Sequence, residues 1–364
     1  MSDIRYWLGF NLVPRIGPVR LRALLAYFKD IELAWRADPA SLRAAKLPPD
    51  ALDKLIGLRN QLNLDAELAR VEKAGLRLVC WESPEYPSLL KKIEQPPPLL
   101  YVRGNLEVID ELAVAIVGTR NPTSYGKEAT RQLVNDLAKN KVTIVSGLAL
   151  GIDGIAHQAS LDAGGRTLAV FGCGLDWTYP SSHRDLAERI THSGALISDY
   201  PLGTKPEAIN FPPRNRIISG LTLGTVVVEA GMDSGALITL QFALDQGRDT
   251  FAVPGSVFSR ASAGTNAAIM ASKAKLVSSA EDILSELNLN MIIQQEEVRE
   301  VIPDTPTEKL ILGIIGQEPM HIDEIVREAN LPITTVSSTL CLMELKGMVL
   351  RSDNSRYAIG HHLA

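Results

Sequence analysis

The segment FPPRNRIISG, Phe211 to Gly220, sets an aromatic, two prolines and an Arg-Asn-Arg triplet ahead of an apolar run. Grouped arginines suit an anion, and an aromatic face suits a stacked base. The prolines end a loop and preset a helix start. Similar chemistry recurs along the chain. GTRNPTSYG holds Gly118 and Arg120, and its Thr123 or Ser124 can cap a following helix whose free N–H groups favour an anion. SGLALGIDG carries Gly147, Gly151 and Gly154, which let backbone approach backbone or phosphate closely. DYPLGTKPEAINFPPRNR supplies Lys205, Phe211, Arg214, Asn215 and Arg216, and EAGMDSGALIT opens a helix at Ser234 and Gly235. These loops together predict one anion-binding cleft. A structural alternative pairs Arg214 or Arg216 with Glu229 or Asp199 in a buried network. His157 and Cys173 read as packing residues, since no base partner accompanies the cysteine.

The loops follow short apolar runs. LAVAIVG, VTIVSG, TLAVFG, ALISDY, GTVVVEAG and DTFAVPGS read as buried strands, the last ending the sheet, and amphipathic helices separate them. That alternation predicts an α/β fold, a Rossmann-like doubly wound parallel sheet. Ligands of such sheets bind beyond the carboxyl ends of the strands. Residues 1–75 read as a helical module and 76–290 as the Rossmann-like domain. Residues 291–305 read as a linker. Residues 306–364 give three helices and a hairpin turning at Asp353-Asn354, the order of a winged helix.

Composition narrows the classes. The chain has 364 residues, 46% hydrophobic and 22% charged, with a net charge of -5. A nucleic-acid site must therefore be a local cluster of cations and not a global field. Three cysteines and six histidines show neither disulfide nor metal spacing. No apolar run approaches the ~20 residues of a membrane span, so a cytoplasmic protein without membrane contact is expected. A dinucleotide site fails on spacing: GTRNPT lacks the later glycines of G-x-G-x-x-G, and GCGLDW lacks the third. No P-loop occurs.

AIVGTRNPTSYG, SGLALGIDGIAHQASL, FPPRNRIISGL, EAGMDSGALIT and FAVPGS, in that order, resemble the bacterial DprA (Smf) family of DNA-processing proteins. The resemblance covers residues ~77 to 290. The flanks are similar to the family's helical SAM-like or helix-hairpin-helix module and to its winged helix. It implies a homodimer that binds single-stranded DNA, displaces or bypasses single-strand-binding protein and loads the recombinase RecA in natural transformation. It implies no cofactor and no hydrolysis. It places the DNA pocket on Gly118, Arg120, the Gly147 loop, Lys205, Arg214-Asn215-Arg216, Ser234 and Gly235. The front module has one hairpin-like turn, RIGP, without a second copy. The recognition helix has one cation, Lys346, with Arg351 and Arg356 on the wing, a sparse face that suits a protein as well as duplex DNA. Ile269 and Met270 are candidates for a dimer interface or for capping the core.

The centre also resembles nucleotide-processing phosphoribohydrolases, which carry P-G-G-x-G-T-x-x-E. Aligned on Gly235, their glutamate falls on Thr239 and their threonine on Ala236. A hydroxyl cannot do a carboxylate's work, which favours binding without chemistry. The enzyme reading stands second, with Glu229 as its nearby carboxylate. A winged-helix regulator with a nucleotide-sensing core stands third.

Overall fold

The apolar runs pair into a nine-stranded sheet in the order β1-β2-β6-β5-β4-β3-β7-β8-β9. The strands are β1 (Arg77–Cys80), β2 (Leu99–Gly104), β3 (Ala113–Val117), β4 (Thr143–Ser146), β5 (Thr167–Val170), β6 (Gly194–Ser198), β7 (Gly224–Val227), β8 (Asp249–Ala252) and β9 (Lys275–Leu276). β1 and β2 run antiparallel, and the strands from β6 to β9 are mutually parallel. β9 extends the sheet beyond β8, where the sequence reading ended it; two exposed residues leave no apolar pattern to find. The structure, a computed structural model, describes residues 3–289, 305–315, 319–345, 348–352 and 355–359.

β3 to β7 read as continuous apolar runs because both faces of the sheet are covered. One face packs on α8 (Ser124–Lys139), α9 (Ile152–Asp162) and α10 (Arg184–His192). The other packs on α11 (Phe211–Gly220) and α12 (Ala236–Asp245). β3 to β6 step outward in one direction, whereas β7 returns to the far side of β3. The reversal makes β3/β7 the topological switch point, where a crevice opens at the strand ends. After β8, α13 (Ala263–Met270) and α14 (Ala280–Glu286) close the unit.

The front segment forms six helices, α1 (Ile4–Leu12), α2 (Pro18–Phe28), α3 (Ile31–Arg36), α4 (Pro39–Ala44), α5 (Pro49–Arg59) and α6 (Leu64–Lys73), and a short α7 (Ser88–Lys91) follows β1. Asp3, Asp30, Asp38 and Asn63 cap α1, α3, α4 and α6 through side-chain oxygens, and prolines begin α2, α4 and α5. These helices share a core with the sheet. Trp7 and Phe10 are fully buried, and Trp7 meets Trp81 edge-on at 5.8 Å. The Tyr101 hydroxyl donates to Asn11 Oδ1 at 2.9 Å. The chain divides into two compact units, Met1–Leu287 and Asn288–Ala364, so the helical segment and the sheet belong to one unit.

The second unit contains α15 (Pro306–Ile314), β10 (Met320–His321), α16 (Ile322–Ala329), α17 (Ile333–Leu345), β11 (Val349–Ser352) and β12 (Arg356–Ile359). Ile311, Ile325, Val336, Leu340 and Met343 form its core. Three helices and a sheet ordered β10-β12-β11 make a winged helix, with β10 a short strand the sequence did not reveal. Residues 291–304 of the expected linker, Lys346 and the Asp353-Asn354 turn lie outside the described residues.

Candidate nucleic-acid interface

A cleft of about 870 Å³ opens at the β3/β7 switch point. Gly118, Thr119 and Arg120 come from the end of β3, Asp153 from α9, and Phe211, Arg214 and Asn215 from α11. Ser234, Gly235 and Thr239 come from the start of α12. Seven of the eleven residues the sequence pointed to therefore share one cavity: Gly118, Arg120, Phe211, Arg214, Asn215, Ser234 and Gly235.

The helical period sorts the arginine triplet. Residues 211, 214, 215 and 218 fall on one face of α11, and these four line the cleft. Arg216, two positions from Arg214, points elsewhere. Its Nη2 pairs with Asp199 Oδ2 at 2.6 Å and its Nη1 donates to the Gln95 carbonyl at 2.8 Å. Burial pushes the Asp199 pKa up, against the pull of Arg216. Arg216 is thus an internal ion-pair partner and not a cleft cation, which corrects the expectation that both arginines face an anion.

Arg214 lines the cleft yet is only 5% exposed. Its Nη1 donates to the carbonyls of Gly147, at 2.8 Å, and Val170. A Cβ on Gly147 would lie 2.6 Å from Arg214 Nη2, so Gly147 is glycine to admit the guanidinium. Asp153, also buried, accepts from the amides of Gly147 at 3.1 Å and Ala149 at 3.4 Å. Burial lowers the Arg214 pKa and raises that of Asp153, and each group opposes the shift of the other. Arginine nevertheless remains charged. The pair shapes the Gly147 loop and brings little net charge. Gly147 itself lies behind Arg214 and does not line the cavity.

The outward charge belongs to Arg120 and Arg260, both exposed cleft residues, with Asp233 as an exposed counter-charge. Gly151 takes φ +80°, and a Cβ there would stand 2.3 Å from the Thr119 carbonyl. That close approach fixes the Arg120 loop. Thr119 is also tied by its N–H to the Glu229 carbonyl at 2.7 Å. Ring faces complete the wall. Phe211 lies over Gly172, beside Tyr179 at 5.6 Å, with Arg120 and Arg214 guanidinium groups 5.9 Å and 5.7 Å from its centroid. Arg120 therefore makes a cation–π contact in the free protein. Tyr179 is 46% exposed and is the more open ring.

Two more expected residues stand elsewhere. Ser124 is the first residue of α8, and Thr123 is its cap, accepting from Gly126 N at 3.2 Å. Lys205 is exposed beside the lining residue Pro206. The prolines at the start of α11 lack N–H groups, so this helix end is a poor anion donor. The ten-residue α12 opens on free space, with nothing within 4 Å of where a Gly235 Cβ would be, but its first amides, those of Ala236, Leu237 and Ile238, already donate to Ser234 and Gly235.

Tyr179 and Arg260 were missed. They lie in loops after β5 and β8, on the same sheet edge, and the carboxyl-end rule applied to every strand would have found them. Glu229 is buried and away from the cleft lining. Its Oε2 and Oε1 accept from Thr123 N at 2.8 Å and Thr123 Oγ1 at 2.6 Å. His157 is fully buried on Thr167 at 2.7 Å, and Cys173 is buried with its thiol pushed up to about 11 by desolvation. Ile269 packs against the core, whereas Met270 is 86% exposed. Among the described residues no helix is long and apolar enough to cross a membrane, and no cluster of ligating side chains would hold a metal.

Comparison with known proteins agrees with this architecture. Residues 77–288 match the family of DNA recombination-mediator protein A, and 295–354 match the DprA winged helix domain. The chain is 35% identical to protein Smf of Synechocystis over 98% of both chains. It is 41% identical to the DNA processing protein DprA of Bacillus subtilis, covering 70% of this chain and 88% of that one. The crystal structure of Streptococcus pneumoniae DprA aligns with a TM-score of 0.69 at 33% identity, over 79% of this chain and 99% of that one. A Helicobacter pylori DprA, studied for its single-stranded DNA binding mode, aligns with a TM-score of 0.53 at 30% identity, over 59% of this chain and 97% of that one. With its switch-point cleft, its winged helix and these matches, the chain belongs to the DprA family of DNA-processing proteins.

Proposed function

We propose that the switch-point cleft binds single-stranded DNA, and that the protein, as a cytoplasmic homodimer, passes the bound strand to the recombinase RecA in natural transformation, displacing or bypassing single-strand-binding protein. One observation carries the binding step. Exposed Arg120 and Arg260, the α12 start and the Tyr179 and Phe211 rings surround a single cavity. Cations track phosphates and rings accept bases without regard to sequence. A flexible strand offers both; a duplex has its bases already stacked. Contacts are assigned to Gly118, Arg120, Phe211, Asn215, Ser234, Gly235 and Arg260, with Lys205 at the rim. The description of the Helicobacter pylori relative supports the ligand. Two copies engaging one strand gain affinity because the second contact is intramolecular. Met270, exposed on α13, is a candidate interface residue.

The phosphoribohydrolase reading has less support. Thr239 stands where that chemistry needs a carboxylate, and both oxygens of Glu229 hold Thr123. The test of the mediator role is RecA filament growth on DNA coated with single-strand-binding protein. Stimulation by the protein, lost in Arg120→Ala, is expected; no stimulation at saturating protein would overturn it.

A further inference from the structure

Between the cleft and a second depression stands a ridge, Pro254 to Ser262. On one side Arg260 lines the cleft. On the other, Ser256, Ser259 and Ser262 face Thr123 and Tyr125 across a pocket of about 440 Å³, floored by Glu229. The ridge is firmly held. Gly255 N donates to Asn266 Oδ1 at 3.1 Å, and Asn266 Nδ2 donates back to the Gly255 carbonyl at 3.0 Å. The Tyr125 hydroxyl donates to the Pro254 carbonyl at 2.6 Å, and Ser259 N donates to the Ser256 carbonyl at 3.0 Å. On this braced segment Val257 is 83% exposed and Phe258 is 96% exposed. Leaving a phenylalanine in water forgoes the stabilisation its burial would give. Nothing in the fold of this unit uses the ring.

We propose that Phe258 is a stacking platform for a base of the DNA strand where it leaves the cleft, and that Arg260 holds the phosphate between cleft and ridge. The inference rests on the reading of the cleft as a single-strand site. Three features favour a nucleic acid over a protein here. The stretch from Pro254 to Gly264 contains a cation and no acidic side chain. Arg260 joins no ion pair among the described residues, while it opens on the cleft. Two apolar side chains fall far short of the roughly 800 Å² that each partner buries in a stable protein interface. A ring bounded by serine hydroxyls and backbone is instead the size of one base, and stacking tolerates any sequence.

The test uses the full chain and oligothymidylates of about 4 and about 16 nucleotides, the range that compact single-strand sites cover. Phe258→Ala should weaken the longer strand roughly tenfold and leave the shorter one, held by the cleft, unchanged. Phe258→Trp should restore the affinity, and its fluorescence should be quenched by the longer strand alone. Arg260→Ala should lower the log–log salt slope by roughly 0.7. Arg120→Ala is the control for the cleft and should weaken both strands. If Arg120→Ala weakens binding while the Phe258 variants bind like the parent and the tryptophan is not quenched, the ridge proposal fails and the cleft stands. If no variant, Arg120→Ala included, affects binding, the cleft reading fails with it. Light scattering separates the other occupant: Phe258→Ala that shifts the dimer to monomer without altering DNA affinity per protomer makes the ridge a protein interface and overturns the proposal.

Discussion

Arg214 occupies the space that a side chain on Gly147 would need: a Cβ there would lie 2.6 Å from its Nη2 and 2.8 Å from its Nη1. The contact couples two loops of the sheet edge. The guanidinium enters from α11, holds the Gly147 carbonyl at 2.8 Å and faces the buried Asp153 carboxylate. Gly147→Ala should therefore shift Arg214 and destabilise the protein by about 1–3 kcal/mol, as overpacking does. Arg214→Ala should cost about 1–3 kcal/mol, because it leaves the buried Gly147 and Val170 carbonyls without the donor they share. Urea melts of both variants measure this. Stability equal to the parent in both would contradict the role given to this contact.

Arg120 and Arg216 should separate binding from folding. Arg120 is exposed, so Arg120→Ala should change stability by no more than about 0.5 kcal/mol while weakening single-strand binding. Arg216→Ala leaves the largely buried Asp199 unpaired, and should cost about 3 kcal/mol. Its salt slope for DNA should match the parent's under conditions where it remains folded. Paired melts and titrations distinguish the two; a reduced salt slope in Arg216→Ala would return that residue to the cleft.

His157 gives the fold a pH dependence. Thr167 Oγ1 donates to the Ile144 carbonyl at 2.8 Å, so His157 Nδ1 must carry the proton in its 2.7 Å contact with that hydroxyl. Nε2 is then a buried acceptor without a partner. Burial lowers the pKa from 6.5 to about 3. Between those values the unfolded chain binds a proton that the folded one does not. The stabilisation is complete above pH 6.5 and is lost as pH falls toward 3. From pH 7.5 to 5 this group should remove about 2 kcal/mol. Urea melts at both pH values should show that loss reduced by this amount in His157→Gln. Identical pH dependence in parent and variant would contradict it.

Purified protein should release no free base from nucleoside monophosphates. Glu229→Gln should lower stability by about 1–3 kcal/mol, since it removes one of the two acceptors that hold Thr123. Base release by the parent, abolished in Glu229→Gln, would revive the enzyme reading.

The doubly wound sheet was legible because strands covered on both faces must be apolar throughout, as in Ala113–Val117. The order of the loops followed from the order of the strands. Side-chain direction was harder. Arg214 and Arg216 have the same chemistry but different helix phase, and only the phase decides which one meets the cleft. The period of α11 did contain that answer. The two-residue strands β9 and β10 were not legible, because so short a pairing leaves no pattern. The partner of Arg216 was open between Glu229 and Asp199 until the fold placed Glu229 under Thr123.

The most direct test of the central claim is a fluorescence anisotropy titration of single-stranded and duplex oligonucleotides of equal length, over a range of salt, with parent and Arg120→Ala protein. The account predicts tighter binding of the single strand, and a log–log salt slope reduced by roughly 0.7 in the variant. Equal affinity for the duplex, with the same slope in parent and variant, would contradict it.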